Sequence, residues 1–250
     1  MDKTVGIIGI GIMGGAMARN LLKEGFRVVG YDVSDAALKA FAEAGGEIAG
    51  SPREVAEKTR IMIASLPNPA ALIAAASGIM TANGDGQVVI ECSTLPLAVK
   101  QEAFDALARR GKVLLDCPVS GTGAMAAKKD LVVFGSGDRD AYDACAAVFA
   151  GMSRVQKYLG PFGNGSKMKF VANHLVTIHN VAAAEALVLG MKAGLDPQMV
   201  YDVIADSAGA SRMFQIRGPM MVAGRYDNVT ASNKTHLKDI SVIGEFATSL

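Results

Sequence analysis

Apolar residues along this chain fall into short continuous runs, separated by stretches where they recur every third or fourth position. The runs Val5-Gly6-Ile7-Ile8, Arg27-Val28-Val29-Gly30-Tyr31, Ile61 to Leu66, Val88 to Cys92, Lys112 to Asp116 and Leu131 to Gly135 read as buried strands. Helical spacing lies between them, over Ala16 to Leu22, Ala36 to Ala44, Ala70 to Ala76 and Pro96 to Arg110, and Ser51-Pro52-Arg53-Glu54 reads as a capped helix start. Strand and helix in alternation predict a largely parallel α/β sheet, and the glycine-rich turn Gly9 to Gly14 after the first strand makes it Rossmann-type. Around Gly160 the pattern changes. Gly160-Pro161-Phe162-Gly163-Asn164-Gly165 is a turn-rich joint, and Ser166 to Ala193 then reads as one long helix, stopped by Gly194-Leu195-Asp196-Pro197. Further helical segments follow, so an α/β domain over residues 1–162 and an all-α domain over 163–250 are expected.

The first strand runs into Gly9-Ile10-Gly11-Ile12-Met13-Gly14 and then into a helix, the setting that gives G-x-G-x-x-G its meaning. Gly9 allows the tight turn, Gly11 lets a pyrophosphate approach the backbone, and Gly14 lets helix and strand pack closely. Ile12 and Met13 open the helix whose N-terminal amides face the phosphates. The second strand ends at Asp32, where a ribose-binding carboxylate belongs. Its charge repels a 2′-phosphate, and Val33 and Ser34 follow it with no arginine. The cofactor expected is therefore NAD, with NADP disfavoured by Asp32. Ligands in such sheets bind beyond the carboxyl ends of the strands, so the loops carrying Leu66-Pro67, Ser93-Thr94 and Pro118-Val119-Ser120-Gly121 become candidates.

Composition narrows the field. The chain has 250 residues, half of them apolar, and a formal net charge of +1. Neither a polyanionic partner nor a nucleic-acid groove is expected. The first strand starts a few residues after Met1, which leaves no room for a signal peptide, and a membrane span is not expected. Cys92, Cys117 and Cys145 are widely spaced and read as small buried thiols of a reducing compartment, which makes a cytoplasmic protein the expectation. His174 and His179 are poorly spaced for shared metal ligation, and no metal is expected.

The long helix is apolar round most of its circumference, as in a buried helix. Yet Ser166, Lys169, Asn173, Thr177 and Asn180 recur at spacings of three and four and so share one face. A polar stripe on a buried helix is costly unless it has partners. Lys169 and Asn173, one turn apart, are accordingly the candidate catalytic pair. Desolvation and a nearby nicotinamide cation both favour a neutral amine, which could take a proton from a substrate hydroxyl. From the helix alone, a solvated strip shared with Lys167 is the competing reading.

Together these segments resemble the β-hydroxyacid dehydrogenase family, which includes 3-hydroxyisobutyrate dehydrogenase, tartronate semialdehyde reductase and the glyoxylate/succinic semialdehyde reductases. Gly9 to Gly14 is similar to its cofactor signature, and Asp116-Cys117-Pro118-Val119-Ser120-Gly121-Thr122 to its substrate motif, with Thr122 in place of a second glycine. Gly163 to Lys169 with Asn173 is similar to the catalytic segment, and Leu237-Lys238-Asp239 to a late L-K-D motif. The resemblance implies that Lys169 is the acid/base and Asn173 its partner. It also implies that Ser120, Gly121 and Thr122 hold a substrate carboxylate, while Leu66, Pro67, Thr94 and Lys238 line the cofactor. The implied reaction is NAD-dependent interconversion of a small β-hydroxy acid and its semialdehyde, in a homodimer or homotetramer. Measured against that family, the second domain reads as shortened at its C-terminal end. An imine reductase-like relative and a non-catalytic dinucleotide-binding module are the alternatives. Imine reductases typically lack this lysine, and a sugar-phosphate dehydrogenase would need a basic cluster.

Overall fold

The computed structural model describes residues 3–224 and 233–250. Six parallel strands form the main sheet: β1 (Thr4–Ile8), β2 (Arg27–Tyr31), β3 (Glu47–Ile48), β4 (Ile61–Ala64), β5 (Val88–Glu91) and β6 (Val113–Asp116), in the order β3-β2-β1-β4-β5-β6. Helices α1 (Ile12–Lys23), α2 (Asp35–Glu43), α3 (Pro52–Lys58), α4 (Pro69–Met80) and α5 (Leu97–Ala108) make the crossovers. The order reverses between β1 and β4, and that switch point is where a dinucleotide crevice opens.

Successive strand residues point to opposite faces, so both faces carry a core. Val5, Ile7, Val28, Ile63, Ile90 and Leu115 pack on one side with Met17, Leu21 and Phe149. Ile8, Val29, Met62, Val89 and Leu114 pack on the other with Val55, Leu72, Ile79 and Leu107. Several crossovers start as their sequence dictates. Ser34, Ser51 and Asn68 accept from the backbone N–H three residues on, and Pro52 and Pro69 occupy the first turns of α3 and α4.

A second sheet follows, of β7 (Val119–Ser120), β8 (Val132–Gly135) and β9 (Val155–Tyr158), with β7 and β8 antiparallel and β8 and β9 parallel. It carries α6 (Gly123–Ala127), α7 (Arg139–Ala144) and α8 (Ala146–Met152). A backbone bridge between Asp116 and Ser136 joins the end of β6 to the end of β8. Periodicity missed β3 and β7 because two residues are too few to show a period. Val155–Tyr158 sets Gln156 and Lys157 side by side between Val155 and Tyr158, so it shows neither an apolar run nor an alternation.

Helices alone are found in the described residues after Gly160: α9 (Asn164–Lys192), α10 (Pro197–Ala205), α11 (Arg212–Val222) and α12 (Asn233–Thr248). By packing, the chain divides into Met1–Lys169 with Gly244–Leu250, and Phe170–Ile243. The expected boundary at 162/163 falls at the turn before α9, whereas packing places the division inside that helix. The first turn of α9 is seated on the α/β unit, for reasons given below.

Two expectations about α9 are corrected. Its apolar sides were to be buried, yet Val171, Leu175, Ile178, Val181, Val188, Leu189 and Met191 are exposed in the chain, Leu189 at 71%. The polar positions Ser166, Lys169 and Asn173 are buried, as are only a few apolar ones, Phe170, Ala183 and Leu187 among them. An apolar residue needs a neighbouring surface to be buried, and within this chain the described neighbours of α9 cover only part of its circumference. In addition, α9 is long and apolar enough to cross a membrane by length and composition alone, with a window of mean hydropathy 1.3. The absence of such a stretch had been expected.

Candidate active site

The glycine turn after β1 is built by close approach. Gly9 has φ +89°, and a Cβ there would lie 2.3 Å from the Ser65 carbonyl oxygen. A Cβ on Gly14 would lie 1.9 Å from the Gly9 carbonyl oxygen. Gly11 is different. It caps α1 without a side-chain acceptor, and a Cβ added there meets nothing within 4 Å. The first turn of α1 therefore has no side-chain cap, unlike α2, α3 and α4, whose Ncap side chains accept from first-turn amides. An uncapped helix start with room in front of it fits a pyrophosphate. Ile12 is exposed on the same turn, and Met13 is packed against the core.

Asp32 follows β2. Its Oδ2 accepts from Ile10 N at 2.5 Å and its Oδ1 from Ser34 N at 2.8 Å, which fixes the carboxylate beside the glycine turn. The loop after β4 carries Leu66, whose N–H donates to Ser93 Oγ at 2.8 Å, and the exposed Pro67. Half-buried Thr94 lies on the neighbouring loop after β5. These positions meet at the switch point, as their places after β1, β2, β4 and β5 require.

Ser120 ends β7, and Gly121 turns the chain with φ +141°. A Cβ on Gly121 would meet a Leu131 methyl at 2.6 Å. Thr122 caps α6, its Oγ1 accepting from Met125 N at 3.4 Å, so its hydroxyl proton is still available to donate. Asn20 of α1 donates to Ala126 O at 2.8 Å and holds α6 to the cofactor helix. Nothing in the residue pattern announces that tie, which spans 106 positions.

Beneath these loops lies a fully buried charge cluster. Lys100 Nζ donates to Ser93 O at 2.7 Å and to Asp116 Oδ1 at 2.8 Å, and stands 2.5 Å from Glu91 Oε2. Burial by itself pulls the Lys100 ammonium down, but Asp116 and Glu91 outweigh it and hold it above the ordinary lysine value. Asp116 also receives the start of α9: Ser166 N donates to Oδ2 and Ser166 Oγ to Oδ1, both at 2.7 Å. Gly165 N donates to Ser136 Oγ at 2.9 Å, and a Cβ on Gly165 would lie 2.4 Å from the Asp116 carbonyl oxygen. The only hint of this cluster in the sequence is that two apolar strands end in acids, Glu91 and Asp116.

Lys169, one turn beyond Ser166, is 8% exposed, whereas Lys167 is exposed. The solvated-strip reading of Lys169 therefore fails. In the second unit Asn173 Nδ2 donates to Asp239 Oδ2 at 3.0 Å. A carboxylate only accepts, so Asn173 Oδ1 points the other way and serves as the acceptor. Thr177 Oγ1 donates to Asn173 O at 2.9 Å and lies 3.2 Å from His236 Nε2. Its one proton is thus committed, and His236 Nε2–H is the donor in that contact. Lys238 pairs with Asp239 at 3.2 Å. Asp239 as the partner of Asn173 was not foreseen, since the two are 66 residues apart.

Residues 4–160 match the family model for the NAD-binding domain of 6-phosphogluconate dehydrogenase, and residues 163–250 match that for the NAD-binding region of NADP-dependent 3-hydroxyisobutyrate dehydrogenase. The chain belongs to the β-hydroxyacid dehydrogenase family. It is similar to L-threonate dehydrogenase of Cupriavidus necator, at 35% identity over 97% of this chain and 83% of that protein. Mitochondrial 3-hydroxyisobutyrate dehydrogenase of Rattus norvegicus is 33% identical over 98% of this chain and 76% of its own length. A solved 3-hydroxyisobutyrate dehydrogenase from Salmonella typhimurium superposes with a TM-score of 0.85 at 30% identity, covering 98% of this chain and 87% of that one. The chain is thus a nicotinamide-dependent dehydrogenase acting on CH–OH groups, in keeping with its family. Imine reductases share the fold at 20% identity or less.

Proposed function

We propose that this dehydrogenase uses NAD to interconvert a small β-hydroxy acid and its semialdehyde, with Lys169 as general acid/base. The observation that carries the reading is the burial of Lys169 on the polar face of an otherwise exposed apolar helix. A lysine kept from water there is suited to proton transfer at one oxygen. The cofactor, when bound, supplies the hydride acceptor or donor. Neutral Lys169 takes the hydroxyl proton in the oxidative direction, and its ammonium returns it in the reductive one. Asn173, its Nδ2 held by Asp239, offers Oδ1 to the substrate hydroxyl or to the lysine. Ser120 and Thr122 hydroxyls and the amide of Gly121 hold the substrate carboxylate, and fixed donors of this kind orient the reacting carbon.

NAD rather than NADP is supported by Asp32, which presents a fixed carboxylate where a 2′-phosphate would lie and is followed by exposed Val33. Lys238, paired with Asp239, serves the cofactor side. A homodimer or homotetramer is supported by the row of exposed apolar residues along α9, since contiguous exposed apolar surface marks an interaction face.

The test is NADH oxidation with glyoxylate and small semialdehydes, and NAD reduction with 3-hydroxyisobutyrate, L-threonate and L-serine. Lys169→Ala should lower kcat by about 10²–10⁴-fold while NADH still binds. Full activity in that variant refutes the mechanism, and NADH binding without turnover of any substrate favours the binding-module alternative.

A further inference from the structure

The buried charge cluster lies outside the roles assigned so far. We propose that Lys100 is a positioning residue for the reaction: through one buried ammonium it ties the loop after β5, the substrate loop after β6 and the first turn of α9, and so sets where Lys169 stands. The inference rests on the reading of Lys169 as acid/base.

Each tie is a direct contact. Lys100 Nζ donates to Ser93 O, which precedes Thr94 on the cofactor loop, and Ser93 Oγ accepts from Leu66 N on the next such loop. Glu91 orders the same loop from below, its Oε1 accepting from Ser93 N at 2.9 Å. Lys100 Nζ also donates to Asp116 Oδ1, and four residues after Asp116 comes Ser120. Both Asp116 oxygens accept from Ser166, which stands three residues before Lys169 on the same helical face. The loops for cofactor, substrate and proton transfer therefore share one hub, with Lys100, Glu91 and Asp116 all at 0% exposure.

Stability by itself does not explain such a choice. A buried ion cluster is often replaceable by apolar side chains at no loss of stability, because desolvation offsets the Coulomb gain. The cluster also carries two carboxylates against one ammonium. The remaining negative charge is met by the first turn of α9, whose Ser166 N–H points at Asp116 with the positive end of the helix dipole behind it. The charge balance thus needs α9 in place, and the approach of Gly165 to Asp116 O leaves that helix start no room to shift. A misplacement of about 1 Å at a reacting group can cost about 100-fold in rate, so a clamp one turn from Lys169 bears directly on kcat.

Three variants of the full chain decide the matter, assayed beside Lys169→Ala for kcat and KM, NADH affinity by fluorescence, thermal midpoint, and amide exchange of residues 164–169. Ser166→Ala leaves the ion cluster whole and removes one bond to Asp116. It should lower kcat about tenfold with KM and NADH affinity unchanged, and speed exchange in the first turn of α9. Lys100→Met strands two buried carboxylates and should be both slow and destabilised. Lys100→Met/Glu91→Gln restores the net charge, and should recover the thermal midpoint but not kcat; a purely structural residue would recover both together. Should Lys100→Met fail to fold, Ser166→Ala and the double variant carry the test. Wild-type kcat and exchange in those two, with Lys169→Ala inactive, overturns the hub and leaves the site intact. An active Lys169→Ala overturns the reading of the site, and the hub with it.

Discussion

The two packing units of this chain solve the problem of burial differently. In the α/β unit the main sheet is covered on both faces, and the buried charges Lys100, Glu91 and Asp116 are paired with one another. Among the described residues of the helical unit, the buried apolar cluster is Ala183, Leu187 and Phe214, with partly buried neighbours such as Val200 and Tyr201. Around it Leu189, Val203 and Leu195 stand exposed. A sheet flanked by helices can close its core within one chain, whereas helices carrying apolar residues on several sides cannot all be satisfied by one another. The α/β unit carries the glycine turn and the loops after β4, β5 and β6. Within the sparse unit Asn173 is held by a carboxylate partner, Asp239.

The largest expected effect tests this contrast directly. Phe149 is 1% exposed and packs 4.8 Å from the Tyr142 ring, so Phe149→Ala should cost about 3–5 kcal/mol in urea unfolding. Phe214→Ala, in a thin cluster able to collapse onto the gap, should fall at or below the lower end of that range, about 3 kcal/mol. Equal costs would mean that the helical unit is as tightly cored as the sheet. The next effect is a pH dependence confined to the α/β unit. Burial pushes the Cys145 thiol up to about 12, and burial also raises Cys92 and Cys117. A group raised on folding stabilises fully below its unfolded pKa and loses that contribution as pH climbs toward the folded value. Stability should therefore hold to about pH 8.5 and then fall by about 2 kcal/mol per buried thiol by pH 10. Lys100, raised by Asp116 and Glu91, adds a loss of the same sign at still higher pH. Urea midpoints at pH 8 and 10 would check this, and a smaller decline in Cys145→Ala would assign one share of it. The smallest effect should come from Leu189→Gln, which should change the stability of the fold by no more than about 0.5 kcal/mol. If α9 is covered by a second copy, the same change should weaken self-association in sedimentation. A large loss of stability without dissociation would show that Leu189 is buried within the chain after all.

Much of the α/β unit was legible because its signals are local. A buried strand, a glycine turn and an acid one strand later announce the cofactor site, and the cradle at Gly9, Gly11 and Gly14 has the shape that pattern demands. The polar stripe on α9 was legible too, since helical spacing alone puts Ser166, Lys169 and Asn173 on one face. Which face of α9 is buried was not. Apolar residues lie on several sides of the helix, so their number alone does not say that Phe170, Ala183 and Leu187 go in with the polar stripe while Leu175, Val181 and Leu189 stay out. Asp239 and Lys100 were missed because their partners lie 66 and 16 residues away, and neither distance repeats as a pattern.

Local patterning along the chain laid out the longer strands of the main sheet and most of their crossover helices, the place of the glycine turn, the acid beside it, and the residue types available for proton transfer. These follow from backbone sterics and periodicity, which act over a few residues. Tertiary structure alone decided that Lys100 sits without water between two carboxylates, that Asp116 seats the helix bearing Lys169, and that Asn173 turns its oxygen away from Asp239. Those outcomes depend on which distant groups meet in a medium of low dielectric. Pairing there is compulsory, and the identity of the partner is a property of the fold.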